Sequence, residues 1–218
     1  ITCRDWSSDV CSSDLESRTR NLIRIGVLSD THIPDRVGDL HPDVLPFFKK
    51  RQVDLIIHAG DISIPDVLRR LEEIAPVHAV RGNRDWWRIK QLPATKEIRL
   101  NEVKILITHG YGNLYSYFWD KIPYWFTGYR YERFIKKFSK LDQEFDVIIF
   151  GHSHRPENRW EEGKLYFNPG SAYDQVQNHL GPSIGLIEID DKQSIQSEII
   201  YLTPMRWRNN RWVENKKT

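Results

Sequence analysis

Runs of apolar residues that stop abruptly at small polar ones set the pattern of this chain. Leu22 to Leu28 is apolar and rich in Ile and Val, and it stops at Ser29-Asp30. So short a run predicts a buried strand, because the residues of both faces are apolar. Val53 to His58 predicts a second such strand, closed by Ala59-Gly60-Asp61, and Val77 to Val80 a third, followed by Gly82-Asn83. Between them lie two helix-like segments. Pro42 to Arg51 places Val44, Leu45, Phe47 and Phe48 at helical spacing, and Pro65 to Ile74 places Val67, Leu68 and Leu71 on one face with proline in the first turn. Ile98 to Leu100 and Val103 to Thr108 flank Asn101-Glu102 and predict a hairpin. Arg130 to Leu141 has the period of an amphipathic helix, and Val147 to Phe150, Leu165 to Asn168, Ser183 to Ile189 and Ile195 to Leu202 predict later strands. Strands that first alternate with helices and then follow one another imply an α/β fold, two sheets with helices outside, rather than a single doubly wound sheet.

The ends of the chain fall outside this pattern. Residues 1–21 show neither period, and the run from Arg4 to Leu15 resembles translated sequencing-adapter read-through, so a non-native or disordered leader is expected there. Residues 22–204 are expected to form the folded domain, and residues 205–218 a basic, Trp-containing tail with no clear period.

Composition narrows the function classes. The chain has 218 residues and a formal net charge of +2, which argues against a dedicated nucleic-acid binder; no obligate nucleic-acid partner is implied. No apolar run approaches the ~20 residues that span a bilayer, and no signal-peptide pattern is present, so a cytoplasmic location is expected. Cys3 and Cys11 are the only cysteines, which leaves the rest of the chain without an internal disulfide or a cysteine zinc site.

The candidate chemistry lies where the strands stop. Asp30-Thr31-His32 follows the first strand, Gly60-Asp61 the second, Gly82-Asn83 the third, His109-Gly110 the hairpin strand and Gly151-His152-Ser153-His154 the next. Taken singly each is weak. Gly-Asp and Gly-Asn are ordinary turns, and a lone His after a strand is more often a hydrogen-bonded surface residue. His-x-His says more, because alternate residues of an extended segment can face one site. Five such loops in order, each at a strand end, point to one rim beyond the carboxyl edge of a sheet. Asp, Asn and neutral His offer oxygen and nitrogen donors, which suit Mn, Fe, Zn, Co or Ni. Two such ions about 3.5–4 Å apart can clamp a phosphate and generate hydroxide between them.

The set Asp-x-His, Gly-Asp, Gly-Asn, His-Gly and Gly-His-x-His, complete here from about Leu22 to Leu202, resembles the calcineurin-like metallophosphoesterase superfamily, specifically its small bacterial and archaeal phosphodiesterase branch. The resemblance implies a four-layer α/β/β/α sandwich of two mixed sheets flanked by helices. It implies one metal held by Asp30, His32, Asp61 and His154 and another by Asp61, Asn83, His109 and His152, with Asp61 bridging. Manganese is the metal such enzymes often use. The activity implied is hydrolysis of phosphate esters; the reading favoured here is attack on diesters more than monoesters, in line, by a metal-bridging hydroxide, with Asp61, Asn83 and Arg84 as the catalytic set. Rival readings are a phosphomonoesterase or nucleotide phosphatase on the same site, a non-catalytic scaffold of the same fold, and a nucleic-acid module working through the tail.

One departure stands out. Many phosphatases of the superfamily carry a His after the Asn as proton donor, and this chain has Arg84, followed by Asp85. Arginine stays protonated, so it can stabilise phosphate charge but cannot serve as an ordinary acid. The plainer reading is a surface arginine paired with Asp85. His58 and His78 read as core histidines or as supports behind the ligands. Asn168-Pro169-Gly170-Ser171 reads as a structural turn, with a phosphate contact from Ser171 as the alternative. Tyr111 to Tyr131 is dense in aromatics and is open to three readings: a local core, a lid over the substrate, or a surface joining two copies of the chain into a homo-oligomer.

Overall fold

The computed structural model describes residues 22–110, 144–173 and 180–214. In chain order the elements are β1 (Leu22–Leu28), α1 (Val44–Arg51), β2 (Leu55–His58), α2 (Pro65–Glu72), β3 (Val77–Ala79), β4 (Thr95–Leu100), β5 (Val103–Thr108), β6 (Val147–Ile149), β7 (Glu157–Glu161), β8 (Lys164–Asn168), β9 (Ser183–Asp190), β10 (Ile195–Tyr201), β11 (Met205–Arg208) and β12 (Arg211–Glu214). The helix expected over Arg130 to Leu141 and the aromatic run from Tyr111 to Tyr131 lie outside the described residues, as does the leader.

Two five-stranded sheets carry the fold, in the orders β10-β9-β1-β2-β3 and β4-β5-β6-β8-β7. Both are mixed. In the first sheet β1, β2 and β3 run parallel and β9 and β10 antiparallel. In the second, β5, β6 and β8 run parallel, with β4 and β7 antiparallel at the edges. Successive side chains of a strand point to opposite faces, and the apolar runs put that alternation to use. Ile25, Val27, Leu55, Ile57, Ile187 and Ile189 of the first sheet meet Val103, Ile105, Ile107, Val147, Ile149, Leu165 and Phe167 of the second in one buried layer. The residues between them face outward. Leu28, Ile56, Ala79, Ile184 and Leu186 pack under Val44, Phe48, Val67 and Leu71 of the two helices, while Leu106, Ile148 and Tyr166 join Phe145 and Phe150 on the far face of the second sheet. Each aliphatic side chain so buried contributes about 1.5–3 kcal/mol, which is why the central strands read as largely apolar runs rather than as alternating ones.

The two described helices are both short. Pro65 opens α2, where its missing N–H costs nothing. Gln52 ends α1 in the left-handed conformation, φ 51°, and its N–H caps the last carbonyls.

Two features had no signal in the sequence. The first is β7, an edge strand that is charged and polar apart from the exposed Trp160. The second is the β11–β12 hairpin, formed by residues that show no period as sequence. Trp212 donates from Nε1 to the Leu40 carbonyl at 2.9 Å, and its ring lies 4.9 Å from that of His41. Trp207 stacks edge-on against Trp212 at 5.5 Å, and both indoles join the apolar cluster under α1. The segment from Met205 is therefore a docked piece of the fold as far as Glu214. No helix among the described residues is long and apolar enough to cross a membrane.

Candidate metal centre

All five loops predicted to carry ligands leave the carboxyl ends of parallel strands. Asp30 and His32 follow β1, Asp61 follows β2, Asn83 follows β3, His109 follows β5, and His152 and His154 follow β6. Because the two sheets face each other, their carboxyl edges open onto the same end of the sandwich, and the side chains meet there.

Two groupings form. His32 Nε2 and His154 Nε2 lie 3.3 Å apart, with Asp30 Oδ1 at 3.7 Å and 3.1 Å from them. Asp30, Asp61 and His109 form the other, with His109 Nε2 at 3.5 Å from Asp61 Oδ1 and 3.9 Å from Asp30 Oδ1. Asp61 divides its carboxylate between them, since its Oδ2 lies 3.5 Å from His32 Nε2. Asn83 Oδ1 and His152 Nδ1 face each other at 3.0 Å, and the His152 ring sits 5.2 Å from that of His109. Five of the seven candidate residues fall in these two groupings, and the Asn83–His152 pair adjoins them at His109. Arg84 stands at the rim: its guanidinium is exposed, while its backbone N–H donates to Asp61 Oδ1 at 2.8 Å.

The backbone is strained at these positions. Asp30 (φ 53°), His32 (50°), Asp61 (55°), His152 (70°) and His154 (56°) all adopt the left-handed region. Each such non-glycine residue costs of order 1–3 kcal/mol, and such strain gathers where function demands a geometry that packing must enforce. Close approach adds a further constraint. A Cβ on Gly82 would collide with Asp61, and one on Gly60, itself at φ 94°, would lie 2.6 Å from His109 Nδ1. Those two glycines let the loops after β2 and β3 and the end of β5 come together.

Polar neighbours hold each ligand in one orientation. His109 donates from Nδ1 to the Ala59 carbonyl at 2.7 Å, so its Nε2 faces the carboxylates. Asp30 Oδ2 accepts from Ser29 Oγ and from the His152 N–H at 3.0 Å, which leaves Oδ1 for the cluster. Asp30 Oδ1 and His109 Nε2 are both buried without a hydrogen bond. Buried polar atoms rarely stay so without a reason, and atoms left open toward a common centre fit a cation held among them. The turn at Asn168 proves structural. Asn168 Nδ2 donates to the Gly151 carbonyl at 3.1 Å, and Ser171 Oγ donates to the Asp30 carbonyl at 3.0 Å, so Ser171 serves the backbone. His58 is fully buried with Nε2 3.2 Å from Thr31 Oγ1, behind the cluster, and His78 is partly buried on β3. Asp85, expected to pair with Arg84 at the surface, instead turns inward and is fully buried. Ser29, Asp85 and the Ala59 carbonyl were missed because single polar turn residues and main-chain groups carry no spacing signal.

The electrostatics are those of a cation site. Burial pushes the Asp30 carboxyl up, but His154 and His109 outweigh it and hold it well below the usual carboxylate range. Asp61 is lowered in the same way, with burial opposed chiefly by His109. Burial would strip His109 of its proton, yet Asp61 and Asp30 raise it to about 10. His152 falls to about 3, through burial and then the neighbouring His109 charge. Two buried carboxylates thus hold positive charge in their midst, a role a divalent ion fills better than a proton.

The calcineurin-like phosphoesterase superfamily domain matches residues 23–192. The chain belongs to that superfamily. A "probable metallophosphoesterase" of Methanothermobacter thermautotrophicus is 34% identical to it over 176 residues, 81% of this chain and 91% of that protein. Among solved structures, zinc-complexed Vps29 of Entamoeba histolytica has a TM-score of 0.62 at 23% identity, covering 82% of this chain and 98% of its own. A structure described as a novel archaeal phosphodiesterase has a TM-score of 0.53 at 21% identity, covering 82% and 100%. These two likenesses support the calcineurin-like α/β sandwich, and the superfamily assigns the chain to the metal-dependent phosphoesterases.

Proposed function

We propose that this phosphoesterase hydrolyses phosphate diesters in preference to monoesters and works with two divalent ions, manganese foremost, with iron, zinc, nickel or cobalt as substitutes. Asp30, His32, Asp61 and His154 would hold one ion, and Asp61, Asn83, His109 and His152 the other. The observation that carries this reading is the divided carboxylate of Asp61, whose Oδ1 and Oδ2 each lie 3.5 Å from a histidine of a different loop. Bound divalent ions supply Lewis acidity to a phosphoryl oxygen and acidify water near neutral pH.

The rest of the chemistry falls to the chain. Hydrolysis adds a water oxygen to phosphorus and breaks the P–O bond to the leaving alcohol, which must gain a proton. Arg84 stands where a proton-donating imidazole would follow Asn83, and a guanidinium keeps its protons at neutral pH. Exposed at the rim, it can instead neutralise charge on the non-bridging oxygens through its forked donors. That arrangement favours leaving groups that depart unaided, and a diester presents less negative charge to a site already lined by Asp30 and Asp61. His109, fixed by Ala59, and Asp30, fixed by Ser29 and the His152 N–H, keep their ligand atoms pointed inward before any substrate arrives.

The test is the ratio of kcat/KM on bis-p-nitrophenyl phosphate to that on p-nitrophenyl phosphate in manganese-loaded protein, with Asp61→Ala as control. A ratio above one that collapses in the control supports the proposal. A ratio below one favours the monoesterase, and loaded protein that turns over neither ester favours the scaffold.

A further inference from the structure

Asp85 is buried, charged and unused by the ligand set. Its carboxylate is fully buried, and among the described residues no lysine or arginine pairs with it. It accepts three main-chain N–H groups instead. Ser63 N–H reaches Oδ1 at 2.7 Å, Gly82 N–H reaches Oδ2 at 2.7 Å, and Ile62 N–H lies 3.0 Å from Oδ1 and 3.2 Å from Oδ2. Burying a carboxylate without a counter-charge is costly, and three N–H donors recover only part of that cost.

The three donors belong to two different loops. Ile62 and Ser63 directly follow Asp61, while Gly82 directly precedes Asn83. One side chain therefore ties the loop after β2 to the loop after β3 within a residue of a proposed ligand on each side. The 82–85 turn closes around it, with the Asp85 N–H 3.2 Å from the Gly82 carbonyl and the Ile89 N–H 2.9 Å from the Asp85 carbonyl. A carboxylate suits this place as an amide does not. Donors converge on both of its oxygens, whereas an asparagine offers one acceptor oxygen and sets an NH2 against a further donor.

We propose that Asp85 is a positioning residue: its carboxylate latches the Asp61 loop to the Asn83 loop and so sets the spacing of the two ligands that share one of the ions. The inference rests on the two-ion reading above. In Asp85→Asn the Oδ1 position keeps its two donors, Ile62 and Ser63, when the amide nitrogen takes the place of Oδ2. Gly82 is then the donor left facing a donor, and the Asn83 loop is the one released.

The test titrates metal-free wild type and Asp85→Asn with Mn2+ by calorimetry, alongside their melting temperatures. Wild type is expected to take up two ions. In the variant the ion shared by Asp61, Asn83, His109 and His152 is expected to bind about 10–100-fold more weakly, the range for losing a group that orients a ligand. The ion held with Asp30, His32 and His154 should stay within about threefold. Asn83→Ala marks which binding step is which. Wild-type uptake of two ions with both affinities unchanged in Asp85→Asn overturns the inference and leaves the metal-centre reading intact. Both affinities falling alike with the melting temperature also overturns it, since that is general destabilisation. Wild type that takes up no ion overturns the two together. If Asp85→Asn does not fold, amide exchange in wild type decides: Gly82, Ile62 and Ser63 are expected to exchange slowly, and fast exchange at Gly82 rules out the latch.

Discussion

Loading the centre with a divalent ion should expel a proton from His109. The Nδ1–H of that ring is committed to the Ala59 carbonyl at 2.7 Å, so its second proton sits on Nε2, 3.5 Å from Asp61 Oδ1. Burial disfavours that proton, but the Asp61 and Asp30 carboxylates overcome it and raise the ring to about 10. At pH 8, two units lower, about 99% of the rings carry it. An ion that takes Nε2 as a ligand needs the lone pair the proton occupies. About one proton should therefore leave per ion bound there, and affinity should climb about tenfold, or about 1.4 kcal/mol, per pH unit between about 7 and about 10. His152, near 3, has no proton to add to this count. The assay is calorimetric titration with Mn2+ at pH 8 in two buffers of different ionisation enthalpy, whose difference in heat counts the protons. One proton is expected in wild type and close to none for that step in His109→Gln. No proton released, or an affinity flat from pH 7 to 9, would refute the reasoning.

The structure implies three further outcomes. His58 and His152 are both held near 3 by burial against an ordinary value of 6.5, so the stability they contribute is complete above about pH 6.5 and lost as pH falls toward 3, by about 1.4 kcal/mol per unit for each proton. His109, raised to about 10, contributes stability that is complete below about 6.5 and lost as pH rises through 10, so urea midpoints of metal-free protein should peak near neutrality; a flat profile would contradict this. Gly185→Ala drives a Cβ into the fully buried ring of Phe167 between the two sheets and should cost about 1–3 kcal/mol in chemical denaturation, with an unchanged midpoint counting against the packing described. Trp212→Phe removes the donor to the Leu40 carbonyl and should cost about 0.5–1.5 kcal/mol in thermal unfolding, whereas wild-type stability would mean that the C-terminal hairpin is not docked.

The sequence reveals most clearly those elements whose two faces are both buried. β1, β2, β5, β8 and β9 appear as apolar runs because one face meets the other sheet and the other meets helices or the outer cluster. β4 is half exposed, residue by residue, and only its end from Ile98 can be read from the sequence. β7 is an edge strand whose residues after Glu157 are exposed, so it has no apolar signature at all. The β11–β12 hairpin hides because its burial rests on two indoles against the loop before α1 rather than on a period. The site divides the same way. Metal-ligand types beside glycine at five successive strand ends make a pattern, and the sheet edges bring those residues together. The groups that orient them leave no such trace. Ser29 and Ser171 are ordinary turn residues, the Ala59 carbonyl is common to every residue, and Asp85 reads as a partner for Arg84 until its three backbone donors are seen.

The most direct measurement of the central claim is anomalous diffraction from crystals grown with Mn2+. Two peaks about 3.5–4 Å apart are expected, one among Asp30, His32, Asp61 and His154 and the other among Asp61, Asn83, His109 and His152, with the Asp61 carboxylate between them. A single peak, or density remote from Asp61, would contradict the account.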